Sequence, residues 1–240
     1  MRGKRILPFL PYIVVSAVHC VLVIFQWPGG GFETKQLLMP ALALAAIWSL
    51  RRDRVGTAPA PETRRAPRTA MTLILVAIAA SWFGDGAGLF FPGLPTLPMM
   101  ILFFAIAHLG YIVLFWRAPG MFPVTRIPWW SLVYALWWVI AISIIGPHAG
   151  ELFVPLAIYG VVLGLTAALS PRISGTVAIG GFFFLVSDTF LAFREFMEMP
   201  EWVSNVAVMP SYTLGQGMIV FGLVAALKRG SAHSSDVQPG

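Results

Sequence analysis

Apolar runs long enough to cross a bilayer recur along this chain near residues 7–26, 36–50, 70–91, 97–116, 128–145, 151–169, 173–193 and 203–227. A helix needs roughly 20 apolar residues to span the hydrocarbon core, so the runs predict an all-α integral membrane bundle of about eight transmembrane helices. Composition agrees, with 58% of the 240 residues hydrophobic and 11% charged, against about 25% charged in a soluble domain. Runs and connections fill residues 1–229, read as a single eight-span domain with no length left for a soluble one. The run at 36–50 is short. It is expected either to be lengthened by the turn from Glu33 to Gln36 or to sit in a thinned patch of bilayer.

The positions of the Lys and Arg residues test this map. Arg2, Lys4, Arg5, Arg51, Arg52, Arg54, Arg64, Arg65, Arg68, Arg117, Arg126, Arg172, Lys228 and Arg229 all fall in one alternating set of connections, and the other set holds only Lys35 and Arg194. Positive residues gather on the cytoplasmic side, which predicts both termini in the cytoplasm and an even number of crossings. The net charge of +6 therefore reports topology and gives no reason to expect a nucleic-acid partner. Residues 51–69, rich in Arg, Pro, Thr and Ala, read as a cytoplasmic linker able to touch anionic lipid, and residues 230–240 as a disordered polar tail. Met1 to Arg5 before an apolar run resembles a signal peptide, but Val21 to Gly31 offers no small-residue cleavage pattern, so the run reads as a retained first span. Cys20 is the one cysteine, which leaves no disulfide framework or thiolate metal centre. The pairs Trp129–Trp130 and Trp137–Trp138 fit interface anchoring or packing. The expected location is a bacterial inner (plasma) membrane.

Two acids stand inside the apolar runs. Asp85 lies in Ser81-Trp82-Phe83-Gly84-Asp85-Gly86-Ala87-Gly88, and Asp188 in Phe184-Leu185-Val186-Ser187-Asp188-Thr189. A charged side chain at bilayer depth costs on the order of 2.5–3.5 kcal/mol even on the mild insertion scale, so intramembrane acids face a polar interior and serve function. A purely structural hydrogen-bonding role is the plain alternative. Each lies about sixteen residues along its run, at a rise of about 1.5 Å per residue, which predicts one shared level in the outer half of the membrane. Four spans separate them in the same direction of travel, hinting at a parallel four-plus-four repeat. Gly84, Gly86 and Gly88 read as close-packing positions.

Other polar residues share helix faces. His108 and Tyr111 stand at i, i+3 and Tyr212 and Gln216 at i, i+4, and all four are candidates to line one cavity, or else to serve as interhelical hydrogen-bond partners. Ser81 shares a face with Asp85, but the chain has no Gly-x-Ser-x-Gly elbow, which weighs against a serine hydrolase. His19 and His148 lack ligand-like spacing, and no metal or other cofactor is expected, the alternative being a zinc site assembled from distant spans. Lys35, beside Glu33, opens the second span at the level of a phospholipid phosphate, as a headgroup ligand or as a snorkelling interfacial lysine.

In this order and placement the features resemble the YhhN-type lysoplasmalogenase family. The likeness rests on Lys35 opening the second span, Gly84-Asp85 in the third, Ala107-His108-Leu109-Gly110-Tyr111 in the fourth, Phe184 to Asp188 with Leu191 to Phe196 in the seventh, and Ser211-Tyr212 with Gln216 in the eighth. Gln36 departs from it, because the family often has proline after its lysine, and the fifth span carries no match. The resemblance implies hydrolysis of the vinyl-ether bond of lysoplasmalogens to a fatty aldehyde and a glycerophospho-base. A lysophospholipid would be the substrate and membrane lipid the surroundings.

The residues suit that chemistry on their own terms. Cleaving a vinyl ether needs a proton delivered to an alkene carbon and water delivered to the resulting oxocarbenium, and two carboxyls can divide that work as in glycosidases. Asp85 and Asp188 are the expected catalytic pair, in an unassigned order. Lys35 is expected to bind phosphate, and His108, Tyr111, Tyr212 and Gln216 to orient acids, water or glycerol. A proton-coupled transporter is the alternative from another class, since buried acids serve as proton relays in carriers. An intramembrane aspartyl protease is disfavoured because Trp82 stands where its motif needs glycine and its Pro-Ala-Leu element is absent.

Overall fold

A computed structural model describes residues 6–28, 30–52, 65–117 and 124–235. All regular structure among the described residues is helical. After a 3-10 turn at Leu7–Phe9 come α1 (Leu10–Ile24), α2 (Gly30–Arg52), α3 (Arg65–Asp85), α4 (Thr96–Arg117), α5 (Val133–Ile145), α6 (Phe153–Leu169), α7 (Gly175–Phe196) and α8 (Glu201–Ser235), with a single-turn helix at Ala87–Phe90 behind α3.

Each apolar run coincides with one helix. α2 begins at Gly30, so the short run at 36–50 is lengthened at both ends and Lys35 belongs to the second turn of a helix. α2 ends at Arg52 and α3 starts at Arg65, both inside the predicted 51–69 linker, whose residues 53–64 lie outside the described residues. α8 continues to Ser235, into the segment 230–240 expected to be a disordered tail. A helix already nucleated within a bundle extends at little cost per residue, which composition alone does not reveal. Residues 236–240 lie outside the described residues.

Six segments are individually long and apolar enough to cross a membrane: Leu7–Ile24, Thr96–Arg117, Trp129–His148, Gly150–Arg172, Gly175–Phe196 and Glu201–Gly230. α2 and α3 are not among them; α2 carries Glu33, Lys35, Arg51 and Arg52, and α3 carries Arg65, Arg68 and Asp85. The surface pattern is that of a lipid-bathed bundle. On α4 the outward residues Leu102, Ile106, Leu109 and Val113 are apolar and exposed, while His108 and Tyr111 face inward and are fully buried. A helix in water shows the reverse. The protein is an integral, multi-pass membrane protein.

α7 and α8 cross closely because glycines meet there. A Cβ at Gly180 would stand 2.8 Å from the Ile219 nitrogen, and one at Gly215 would stand 2.7 Å from the Phe184 nitrogen. Side chains at either position would force the backbones apart. Nearby, Pro210 interrupts α8 and has no N–H to give. Side-chain donors reach carbonyls beside it: Thr213 donates to the Met209 carbonyl at 3.0 Å, and Ser187 of α7 donates to the Val208 carbonyl at 3.0 Å. The residue beside Asp188 is thereby pinned to α8. Gly215→Leu is expected to cost about 3 kcal/mol or more by overpacking a contact that cannot relax, read as a lower unfolding temperature in detergent. Gly93→Ala, where nothing lies within 4 Å, is expected to leave that temperature unchanged.

Candidate functional site

Asp85 is the last residue of α3. One carboxylate oxygen accepts from the Tyr212 hydroxyl of α8 at 2.6 Å, and the other lies 3.4 Å from the Lys35 ammonium of α2. The Asp85 side chain is 2% exposed and that of Lys35 26%, so the lysine carries the pair toward the surface. Trp82 fastens α3 to α2 beside it, its indole N–H donating to the Gln36 carbonyl at 3.0 Å.

Asp188 lies within α7, buried. Its carboxylate accepts from the Tyr159 hydroxyl of α6. The hydrogen bonds of the two aspartates thus lead to different tyrosines, and a chain of ring contacts links those tyrosines. Phe184 lies 5.5 Å from Tyr212 and 4.4 Å from His108, and His108 lies 6.0 Å from Tyr159.

His108 Nδ1 lies 3.2 Å from Thr166 Oγ1, a hydroxyl that also stands 3.0 Å from the Val162 carbonyl. The other ring nitrogen, Nε2, is buried and without a hydrogen-bond partner in the structure. Tyr111 donates to the Gln216 carboxamide oxygen at 2.8 Å, and the Gln216 nitrogen donates to Ser81 at 2.8 Å. These bonds tie α4, α8 and α3 together.

The seven predicted site residues therefore sit on five helices around two centres, with Lys35, Asp85 and Tyr212 in the first, Asp188 in the second, His108 on the aromatic layer between and Tyr111 with Gln216 bracing them. Lys35 was expected to meet solvent and lipid phosphate. It is also engaged with Asp85, a partnership that only the folded chain reveals. Tyr159 and Thr166 were missed. The available signal was a tyrosine within an apolar span, whose hydroxyl needs a partner once buried. His19, without ligand-like spacing, places Nδ1 2.8 Å from the hydroxyl of Thr34, next to Lys35. Cys20 lies 3.7 Å from the Thr213 hydroxyl. Gly84 and Gly86 are packing positions, where a Cβ would meet Phe104 at 3.1 Å and Phe90 at 2.4 Å. Asp85 ends its helix whereas Asp188 is followed by further turns, so the local structures at the two acids do not repeat. Among the described residues no three His, Cys, Asp or Glu side chains gather as a metal site.

Comparison with known protein families matches residues 30–223 to the YhhN family. This chain belongs to the YhhN family. The matched YhhN region takes in every site residue from Lys35 to Gln216. No curated protein and no solved structure matches the chain. α1 precedes the YhhN match yet buttresses the site, since Tyr12 donates to the Thr213 carbonyl at 2.7 Å and occupies the space left at Gly217, where a Cβ would lie 2.7 Å from its ring.

Proposed function

We propose that this YhhN-family protein hydrolyses the vinyl-ether bond of a lysoplasmalogen-like lysophospholipid, with Asp188 as general acid and Asp85 as general base. The observation that carries the assignment is the unequal partnering of two buried carboxyls. Asp85 has a cation beside it, which compensates an ionised carboxylate, whereas the partner of Asp188 is a neutral tyrosine. An uncompensated buried charge is costly, so the proton belongs on Asp188.

In the proposed reaction Asp188 gives its proton to the alkene carbon remote from oxygen, turning R–CH=CH–O–R′ into R–CH2–CH=O⁺–R′. Water adds to the cationic carbon while Asp85 takes its proton, and the hemiacetal R–CH2–CH(OH)–O–R′ collapses to R–CH2–CHO and HO–R′. The proton on Asp85 returns to Asp188 through solvent. His108 Nε2 forms a hydrogen bond with the water or a glycerol hydroxyl. Lys35, partly exposed, faces the headgroup phosphate with its remaining donors. Tyr159 and Tyr212 hold the carboxyls, and Tyr111 with Gln216 braces the helices. The proposal places eight crossings in the inner membrane, both termini in the cytoplasm and the site in the outer half.

Purified protein in detergent is expected to release aldehyde from a lysoplasmalogen and none from its saturated alkyl-ether analogue, which has no alkene to protonate. Chelators are expected to leave the rate unchanged. Substrate-dependent proton uptake into liposomes without aldehyde would overturn the hydrolase reading in favour of a carrier. Tyr159→Phe is expected to slow turnover about 10- to 100-fold by removing a hydrogen bond to the acid, with the unfolding temperature nearly unchanged. An unaltered rate would deny Tyr159 its positioning role.

A further inference from the structure

Asp188 lies at one end of a cleft bounded by α5, α6 and α7. The part next to it is narrow, with a cavity volume of about 50 Å³, and is lined by Trp137, Trp138, Ile142, Tyr159 and Leu163. A larger part of about 500 Å³ lies between α5 and α6 past Leu132, Ala135, Val161, Leu165 and Ala168. Trp138 and Gly160 line both parts. The Trp138 ring fills the gap that Gly160 leaves, where a Cβ would be 2.9 Å away, and its N–H donates to the Ala157 carbonyl at 3.0 Å. Trp138 is therefore held in place where the two parts meet. Leu132 and Leu165 are exposed, so the larger part opens sideways to lipid.

The cleft wall is mostly apolar, with the Asp188 carboxyl at one end and the buried Ser131 hydroxyl and Tyr134 in the larger part. Thr189, near Asp188, is satisfied, accepting from the Trp137 N–H at 3.1 Å and donating to the Leu185 carbonyl at 2.7 Å. The Tyr159 hydroxyl is committed to Asp188. In the part beside α7 the Asp188 carboxyl is thus the group left to meet an occupant's polar end. From Gly160 to Ala168 the α6 wall runs about 12 Å at the helical rise. Apolar cavities stay dry and take apolar guests.

We propose that this cleft binds the single hydrocarbon chain of a lysolipid, entering sideways from the bilayer, with Trp138 setting how far the head-proximal end advances toward Asp188. The identity of that lipid as substrate rests on the hydrolase reading, while the chain site does not.

The test uses the full-length protein and a lysophospholipid with a saturated ether-linked chain that ends in a photoreactive diazirine. Labelling is expected on residues 129–138 and 160–168, suppressed by excess unlabelled lysolipid. It should also drop about tenfold in Ala135→Trp, which fills the cleft and displaces a few methylenes of contact. Val161→Trp fills it from the α6 side should the first variant misfold. Labelling spread over lipid-facing residues of every helix, insensitive to competitor, would mean annular lipid only and overturn the proposal. With a cleavable substrate, Ala135→Trp is expected to raise KM for long chains and not for short ones. Trp138→Ala is expected to lower kcat with KM unchanged, because the chain still binds but slides past Asp188. Equal effects of Ala135→Trp on both chain lengths would also count against the site. Absence of aldehyde from the wild type with competed labelling intact would defeat the hydrolase reading alone.

Discussion

Asp188→Asn is expected to lower aldehyde release by a factor of about 10² to 10⁴, the usual contribution of a positioned general acid. The reasoning is geometric. Asparagine keeps the shape of the side chain and can still accept from Tyr159, so the α6–α7 contact and the ring layer around His108 survive. What is lost is a proton that can be given to carbon. Asp188→Glu keeps a proton but moves it by a methylene in a site whose helices are pinned by Ser187 and Gly215, so only partial activity is expected from it. Initial rates at saturating substrate, with the unfolding temperature recorded alongside, separate this loss from a loss of fold. An Asp188→Asn rate within a few-fold of wild type would remove Asp188 from the chemistry.

Lys35→Met is the second large effect, and it acts mainly on stability. Asp85 is 2% exposed and has the Lys35 ammonium at 3.4 Å. Removing the cation leaves a buried carboxylate with only the Tyr212 hydroxyl in support, at a cost of roughly 2.5–3.5 kcal/mol on the scale for charges inside a membrane. Adding Asp85→Asn to Lys35→Met is expected to restore most of the stability, because the double variant buries no charge. Activity is expected to stay absent. Unfolding of the two single variants and the double variant in the same detergent gives the coupling directly. Additive losses would mean that the pair contributes nothing to the fold.

The helical bundle was legible because apolar runs favour helices in a membrane, and each run holds a helix with ends shifted by several residues, six of the segments being long and apolar enough to cross a membrane. Runs do not tell which helices touch. A 3.6-residue period shows that His108 and Tyr111 share a face, but not that Tyr111 donates to Gln216 or that Tyr212 reaches Asp85, 127 residues away. The Lys35 contact was hidden for the same reason, since a lysine opening a span looks interfacial whether or not an acid on the next helix reaches it. Tyr159 was overlooked because a tyrosine among Leu, Ile and Val blends into the apolar count. Glycine positions were visible, yet only the crossing of α7 and α8 distinguishes Gly215, which has Phe184 against it, from Gly93, which has open space.

The most direct test of the two-carboxylate mechanism is hydrolysis of a lysoplasmalogen in heavy water by the wild type, Asp85→Asn and Asp188→Asn. Protonation at carbon predicts one deuterium beside the carbonyl of the wild-type aldehyde and little or no aldehyde from either variant. Aldehyde without deuterium, or undiminished release from both variants, would contradict the account.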